Sequence, residues 1–241
     1  SVLIIDPATN TADTTTITGL SGSAKWIGGV LAGNGKIYGM PSNSASVLII
    51  DPATNTADTT TITGLTSGGD AWSGGVLAGN GKIYGIPSYS TSVLIIDPTS
   101  NTADTTTITG LTSGEGDAWR GGVLAGNGKI YGIPLNSASV LIIDPTTNTA
   151  DTTTIKGLGA GGTKWMGGVL AGNGKIYGIP WYSASVLAID PATNTADTTT
   201  MTVLSGNKWY GGVIAGNGKI YGIPWNSASV LITQCMLTGG L

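Results

Sequence analysis

The sequence predicts an all-β protein, specifically a five-bladed β-propeller made of four-stranded antiparallel blades. The first observation is a repeat: "SVLIIDP" or a close variant begins five times, about 46 residues apart. A period of this length with short strands and turn signals indicates propeller blades. The second is the absence of the 3.6-residue apolar periodicity that helical repeats need. The third is composition, because 40 glycines with only 10% charged residues is typical of a glycine-punctuated β protein.

The repeat also predicts the domain organisation. We expect one domain over residues 1–241, with a partial repeat or tail at its end. The predicted repeats span 1–45, 46–91, 92–138, 139–184 and 185–228, and the tail spans 229–241.

Each repeat is expected to contribute four strands, which the first copy illustrates. The innermost is predicted over Gly28–Ala32, and the second over Lys36–Met40. Asn34-Gly35 between them favours a type I′ turn, which needs positive φ at both central residues. The third strand is predicted over Val2–Ile5, and the Thr-rich outermost one over Asp13–Leu20.

The repeat resembles that of the YVTN family of β-propellers in two segments. These are "IDPATNT" and, later, "GGVLAGNGKIYG". In repeat number and length the chain is also similar to five-bladed tachylectin-2-type lectin propellers. The first resemblance implies an extracellular or cell-surface protein, and the second implies sugar binding. Neither implies catalytic residues.

The closure of the ring has two interpretations, because the chain starts at a third strand. The favoured one pairs the last inner hairpin (Gly211–Pro224) with the N-terminal hairpin, which removes free sheet edges. The other pairs it with a strand from Val230–Leu241 and leaves the N-terminal hairpin spare. A six-bladed or incomplete ring, or a partner chain filling a gap, stays open as an alternative.

Repeat variation is predicted to lie on one face of the disc. Alternating strand direction puts the "GNGK" and "DPATN" turns on one face, and these barely change between repeats. The other two loops of each repeat then share the opposite face, and these differ every time. We expect the constant segments to be framework and the variable loops to bind, since loops on a rigid scaffold usually carry function.

Aromatic residues are concentrated in the variable loops of the fourth and fifth repeats. Exposed aromatic rings beside amide and hydroxyl groups could stack on sugars or anchor a protein. The predicted ligand-binding residues are Trp165, Met166, Trp181, Tyr182, Trp209, Tyr210, Trp225, Asn226, Tyr89, Arg120 and Asn136. One Trp recurs in every repeat, and its regularity favours a packing role over a repeated ligand pocket; these are Trp26, Trp72, Trp119, Trp165 and Trp209.

Catalysis and metal binding have little support in the sequence. There is no histidine, which removes the commonest general base and metal ligand. Asp6, Asn10 and Asp13 could offer oxygen ligands to calcium, but local Asx turns explain them better. Carboxylates outside the repeat pattern are few: Asp70, Glu115 and Asp117. We therefore expect no enzyme, no metal and no cofactor.

The remaining expectations concern partners. A net charge of −3 argues against nucleic acid, no apolar run approaches a membrane span, and the single Cys235 is expected to be an unpaired thiol. The Thr-rich segments also resemble ice-binding rows, a weaker interpretation. The predicted function is glycan recognition through the aromatic loops. The alternative is a structural or assembly subunit that docks on protein through the same face. An oligomeric state stays open in both interpretations.

Overall fold

The computed structural model describes residues 1–66, 69–111, 116–202 and 208–234. Glu115 and Cys235 therefore lie outside the described residues. The described residues contain short strands joined by turns. In chain order the strands are β1 (Ile4–Asp6), β2 (Thr11–Asp13), β3 (Trp26–Leu31), β4 (Ile37–Pro41), β5 (Leu48–Asp51), β6 (Thr56–Asp58), β7 (Trp72–Leu77), β8 (Ile83–Pro87), β9 (Leu94–Asp97), β10 (Thr102–Asp104), β11 (Trp119–Leu124), β12 (Ile130–Pro134), β13 (Leu141–Asp144), β14 (Thr149–Asp151), β15 (Trp165–Leu170), β16 (Ile176–Pro180), β17 (Leu187–Asp190), β18 (Thr195–Asp197), β19 (Trp209–Ile214), β20 (Lys219–Pro224) and β21 (Leu231–Gln234).

The strands form repeated antiparallel meanders, which confirms the all-β, four-stranded design. Four sheets have four strands each, in the orders β3-β4-β5-β6, β7-β8-β9-β10, β11-β12-β13-β14 and β15-β16-β17-β18. The register repeats from sheet to sheet; in the first, Gly39 lies opposite Leu48 and Tyr38 opposite Ile49. The first strand of each sheet (β3, β7, β11, β15 and β19) is called the inner strand below.

The turn between the first and second strands of each sheet, such as β3 and β4, differs from the predicted type I′ turn. Only Gly35 has a positive φ (79°), while Asn34 does not. The Gly35 N–H donates to the Ala32 carbonyl at 3.0 Å, and the Ala32 N–H donates to Lys36 at 2.9 Å. The loop therefore places a glycine in the left-handed region after the turn, as longer hairpin loops do. The Asn34 side chain accepts the Lys36 N–H instead, at 3.1 Å.

The prediction of a long outermost strand over Asp13–Leu20 is wrong. The outermost strand of this hairpin, β2, has three residues and ends at Asp13. The Asp13 carboxylate accepts the Thr15 N–H at 2.6 Å and also the Thr16 hydroxyl. This local capping turns the chain, although a run of threonines has high β propensity. The same Asp–Thr pattern recurs at Asp58, Asp104, Asp151 and Asp197.

The core lies between consecutive sheets, where apolar side chains from one sheet pack on the next. One junction buries Met40 and Tyr38 of the first full sheet with Ile83, Leu94 and Ile96 of the second. Equivalent clusters fill the next junctions. Burial of side chains of this size stabilises each junction by roughly 1.5–3 kcal/mol per fully buried side chain.

The favoured ring closure is wrong. β20 pairs with β21, with Gly222 opposite Leu231 and Tyr221 opposite Ile232. The N-terminal strands β1 and β2 form a separate two-stranded sheet, and β19-β20-β21 is three-stranded. The third-strand segments Ser1–Ile4 and Ser229–Ile232 have the same sequence, "SVLI", so local sequence did not distinguish them.

Candidate recognition face

The two-face prediction is confirmed by contacts between loops. On the constant face, Asn34 in an inner turn donates to the Pro98 carbonyl of the next sheet at 3.0 Å, and the Tyr38 hydroxyl donates to Asn101 at 2.7 Å. On the variable face, Ser42 and Asn43 both donate to Asp70, at 2.7 and 3.0 Å. The invariant turns therefore bond to one another, and the variable loops do the same on the opposite side.

Four lysines of the constant face form ion pairs with aspartates. Lys36 forms an ion pair with Asp51 at 3.2 Å, across neighbouring strands of one sheet. The same pair recurs in the next three sheets, as Lys82–Asp97, Lys129–Asp144 and Lys175–Asp190. These pairs are partly exposed, so each is expected to contribute at most about 1 kcal/mol.

The recurrent tryptophans are framework, which supports the packing interpretation. Each indole N–H donates to a serine carbonyl twenty residues later, at 2.7–2.8 Å; the donors are Trp26, Trp72, Trp119, Trp165 and Trp209. Trp72, Trp119, Trp165 and Trp209 are buried. Trp165 and Trp209 are therefore part of the packed framework, and Met166, which follows Trp165 in the chain, is buried as well.

An aromatic patch forms on the variable face where the fourth and fifth repeats meet, and we define it as Trp181, Tyr182, Tyr210 and Trp225. Trp181 lies 5.6 Å from Tyr210 and 5.6 Å from Trp225, measured between ring centroids, and 6.2 Å from Tyr182. Tyr210 and Trp225 are also 5.6 Å apart. The rings are tilted or edge-on, the arrangement that aromatic quadrupoles favour.

The aromatic patch is open to solvent. Trp225 is 62% exposed, Tyr182 49% and Tyr210 40%, while Trp181 beneath them is half-buried. Asn226, next to Trp225, is exposed as well. The patch therefore offers ring faces together with two phenolic hydroxyls and a neighbouring amide. Exposing so much aromatic surface is costly unless a partner covers it.

Lys208 is a residue of this region that the sequence reasoning missed. Its side chain is buried, its Nζ has no hydrogen-bond partner among the described residues, and the Nζ lies 5.7 Å from the centroid of the Trp209 ring. Burial lowers the pKa of Lys208 below its usual value. Lysine precedes the framework tryptophan in repeats one, four and five, and alanine in the other two, which was the available signal.

Arg120 is engaged by carboxylates of the variable loops. Its guanidinium binds Asp117 through two bonds, at 2.7 and 2.9 Å, and reaches Asp70 at 3.4 Å. The Ser88 hydroxyl donates to the same Asp117 carboxylate at 2.5 Å. Asp117 is consequently largely buried and not solvated, and the cluster ties the variable loops of repeats one to three together.

The other predicted residues are dispersed. Asn136 is engaged in loop packing, since it donates to the Gly116 carbonyl at 3.2 Å and accepts the Thr163 N–H at 2.9 Å. Tyr89 is exposed on the second repeat, apart from the aromatic patch. The structure thus brings together four of the predicted residues and assigns most of the others to the framework.

A narrow channel mouth lies among the inner strands. Its volume is about 130 Å³, and it is lined by the residue that follows each framework tryptophan: Ile27, Ser73, Arg120, Met166 and Tyr210. Tyr210 therefore belongs both to this rim and to the aromatic patch. Such a space fits a few waters and not a sugar ring, so the patch is the better candidate site.

The predicted Asx turns hold the residues that could have been calcium ligands. Asp6 accepts the Ala8 N–H at 2.8 Å, and the Asp13 carboxylate is occupied by threonines. Hydrogen bonds lower the pKa of both carboxyls. The largest effect comes from the Ala8 N–H for Asp6 and from the Thr16 hydroxyl for Asp13. Within the described ranges, no three His, Cys, Asp or Glu side chains are grouped as a metal site would need.

Comparison with known proteins shows the fold alone. No family model and no curated protein matches the chain. Among solved structures, virginiamycin B lyase from Staphylococcus aureus has a TM-score of 0.67 at 9% identity, covering 90% of this chain and 72% of that one. A streptogramin B lyase has a TM-score of 0.66 at 13% identity, covering 85% and 64%. An extracellular domain from Bacteroides thetaiotaomicron has a TM-score of 0.65 at 11% identity, covering 92% and 31%.

These likenesses support a β-propeller architecture, while the resemblances to YVTN repeats and tachylectin-2-type lectins stay resemblances. They also correct the expectation that the chain is not an enzyme. That expectation is wrong as an exclusion, because the similar solved structures include lyases. The fold is used for catalysis, so fold gives no ground for setting catalysis aside.

In the part of the chain that the structure describes, no helix is long and apolar enough to cross a membrane.

Proposed function

We propose that the chain is a recognition module that binds a glycan at the aromatic patch. The observation that carries the proposal is the convergence of four partly exposed aromatic rings within 5.6–6.2 Å on the variable face. Aromatic rings flanked by hydroxyl and amide groups suit sugars, because the ring faces cover C–H surfaces while the polar groups bond hydroxyls.

The proposal differs from a multivalent lectin with one site in each repeat. Four of the five recurrent tryptophans are buried, so they offer no pocket that repeats in every unit. The polar loops of repeats one to three already satisfy each other, as Ser42 with Asp70 and Ser88 with Asp117 illustrate. Among the described residues, the aromatic patch at repeats four and five is the site that we propose for a ligand.

Protein docking through the same patch is the second candidate. The observation that favours it is asymmetry, since one large apolar patch is more typical of a protein interface than of repeated sugar sites. Trp225 would be the anchor, because exposed tryptophans are frequent hot spots in such interfaces.

The proposal extends to organisation and location. We take residues 1–241 as one domain whose five repeats are five blades, and we place it outside the cell or at its surface. The support for the location is that structures with this fold include an extracellular domain and an auxiliary nutrient binding protein.

The test is a glycan array with the purified protein, followed by titration of any sugar bound. Trp225→Ala and Tyr182→Ala are expected to lower affinity at least tenfold. Tyr89→Ala is the matched control, as it removes an exposed aromatic ring of the same face on another repeat. Sugar binding that all three variants retain would contradict the patch. A blank array from folded protein would remove the glycan proposal and turn the search to protein partners.

A further inference from the structure

The five inner strands meet at four close junctions and leave one side open. Inner-strand glycines with positive φ (68–78°) stack from sheet to sheet. A Cβ placed on one would lie 3.2–3.4 Å from the Cα of the next, in the series Gly28, Gly74, Gly121, Gly167 and Gly211. A Cβ placed on Gly211, the last, would meet nothing within 4 Å among the described residues. The stack of glycines therefore ends at Gly28 on the first full sheet and at Gly211 on the last.

At that open side, an isoleucine (Ile223) and the glycine against which it would pack (Gly29) do not meet. Met40, Ile86, Ile133 and Ile179 are buried at the four junctions, each against a glycine of the next sheet (Gly75, Gly122, Gly168 and Gly212). Ile223 is the fifth member of this series and is 49% exposed. The glycine that would receive it is Gly29, which meets no side chain of another sheet.

The space beside Gly29 is a groove of about 390 Å³, which we call the receiving groove. It is lined by Val2 of the N-terminal segment and by Trp26, Gly39, Leu48 and Ile50 of the first full sheet. The apolar residues exposed around the open side are Leu3, Ile5, Leu31, Val213, Ile214, Ile223, Val230 and Ile232. Contiguous apolar surface of this kind marks an interaction site.

The strand that covers the edge of β20 matches it poorly. Thr233 of β21 takes the place that isoleucine has in the other third strands, and its buried hydroxyl has no hydrogen-bond partner among the described residues. An unsatisfied buried hydroxyl is destabilising. Lys219 lies opposite Gln234, where the other sheets pair lysine with aspartate, and the described residues show no ion pair for Lys219.

The N-terminal hairpin has the residues that β21 lacks. β1 offers Ile5 at the position of Thr233 and Asp6 at the position of Gln234. Only one edge of β1 is paired, by β2. In the register of the complete sheets, Gly222, Tyr221 and Ile220 would face Leu3, Ile4 and Ile5, and Lys219 would reach Asp6. Exposed strand edges of this kind add strands from another chain.

We propose that the open side is a head-to-tail interface between copies of this chain. β1 of one copy replaces β21 on the β20 edge of another, and Ile223 enters the receiving groove beside Gly29. The second copy is chosen over the chain's own N-terminus for a geometric reason. The four internal junctions have one common spacing and together do not bring Gly211 to Gly28. The two halves of this junction therefore lie apart in one chain, and a second copy supplies the half that each lacks.

This interface is heterologous, since its two surfaces lie at opposite ends of the same chain. Such interfaces extend into open assemblies unless the rotation closes a ring. The interface therefore has two ends that can be blocked separately. Ile223→Ser removes the inserted side chain and keeps the groove, while Gly29→Leu fills the groove and keeps the side chain.

The experiment is sedimentation velocity over a concentration series, with circular dichroism to confirm folding. Wild type is expected to exceed the 24.1 kDa chain mass as concentration rises. Each variant alone is expected to stay at that mass. An equimolar mixture of the two is expected to form a complex of one chain of each, because one intact side chain meets one intact groove. Tyr89 is about as exposed as Ile223 and lies away from the open side. The control variant Tyr89→Ser should therefore associate as wild type does.

Three results would overturn the proposal: wild type of single-chain mass at every concentration, variants that associate as wild type does, or a mixture of folded variants that stays monomeric. Should Gly29→Leu fail to fold, Lys219→Asp and Asp6→Lys form a second complementary pair. Each is expected to weaken association alone, and mixing them restores two oppositely charged contacts, the original one and its charge-reversed counterpart. Failure of that mixture to associate more than either variant would equally overturn the proposal.

Discussion

The four internal junctions and the open side are made of nearly the same residues in different surroundings. Isoleucine at the end of the second strand is fully buried at Ile133 and half exposed at Ile223. A Cβ on Gly121 would lie 3.3 Å from the Gly167 Cα, whereas a Cβ on Gly211 would meet nothing within 4 Å among the described residues. The comparison shows that the energetic role of a residue in this repeat is set by whether another sheet lies beside it. The same substitution should therefore change stability by different amounts at the two places. Each pair of variants compares a position packed at a junction with its counterpart at the open side.

The largest difference is expected for truncation of the junction isoleucine. Ile133→Ala should lower the free energy of unfolding by about 2–5 kcal/mol, because it leaves a cavity between two packed sheets. Ile223→Ala should change it by about 0.5 kcal/mol or less, as exposed sites do. Urea unfolding of both variants at a concentration where the chain is monomeric makes the comparison. Equal losses would mean that Ile223 is packed inside its own molecule.

The stacked glycines give the next largest effect. Gly121→Ala and Gly211→Ala both place a side chain at positive φ, a strain of about 1 kcal/mol or more. Gly121→Ala also pushes a methyl group to 3.3 Å from the Gly167 Cα. It should therefore lose about 1–3 kcal/mol more than Gly211→Ala, the typical cost of overpacking. Thermal unfolding of the two variants tests this; indistinguishable melting temperatures would contradict the open side.

Tryptophans of the framework and of the aromatic patch should separate stability from binding. Trp119→Phe removes the donor to the Ser139 carbonyl and is expected to cost about 1–3 kcal/mol of stability. Trp225→Ala should alter stability by about 0.5 kcal/mol or less, since the ring is exposed. Denaturant titration checks the pair. A large loss of stability at Trp225 would show that the patch is structural.

The smallest effect concerns pH. Hydrogen bonds, chiefly from threonine hydroxyls, lower the pKa of Asp58, Asp104 and Asp151 to about 2. A folded-state pKa below the unfolded value of about 3.9 gives stability that is present above pH 4. That contribution is lost as pH falls from about 4 to about 2. Stability measured at pH 7, 5, 3 and 2 should be flat above pH 5 and decline below pH 4. Replacing all three by Asn should flatten the decline; an unchanged slope would assign it to other groups.

The repeat pattern predicted the all-β architecture and the two faces because both follow from strand order. The invariance of "GNGK" and "DPATN" was enough to place Asn34 and Pro98 on one face, where they bond. The outer strand was mispredicted because β propensity in "DTTTIT" competes with capping by the preceding Asp13. Propensity gives no means of weighing one against the other.

The site was only partly predictable for a similar reason. The aromatic concentration in repeats four and five was visible, and it does form the patch. The sequence could suggest that Arg120 meets Asp117, three residues before it, but not that Asp70 of another repeat approaches both. Closure was out of reach because "SVLI" occurs at both ends, and only the three-dimensional spacing of the sheets decides which copy meets β20.

The most direct test of the open side is hydrogen exchange in two segments of identical sequence, residues 1–6 and 46–51. In the structure, β5 is paired on both edges while β1 is paired on one. Mass spectrometry can follow them in peptides that extend into 21–25 and 66–71, where the repeats differ. At low protein concentration residues 1–6 should exchange faster than 46–51, and the difference should shrink as concentration rises and β1 pairs with another copy. Equal protection of both segments at every concentration would contradict the account, because β1 would then already be paired within its own chain.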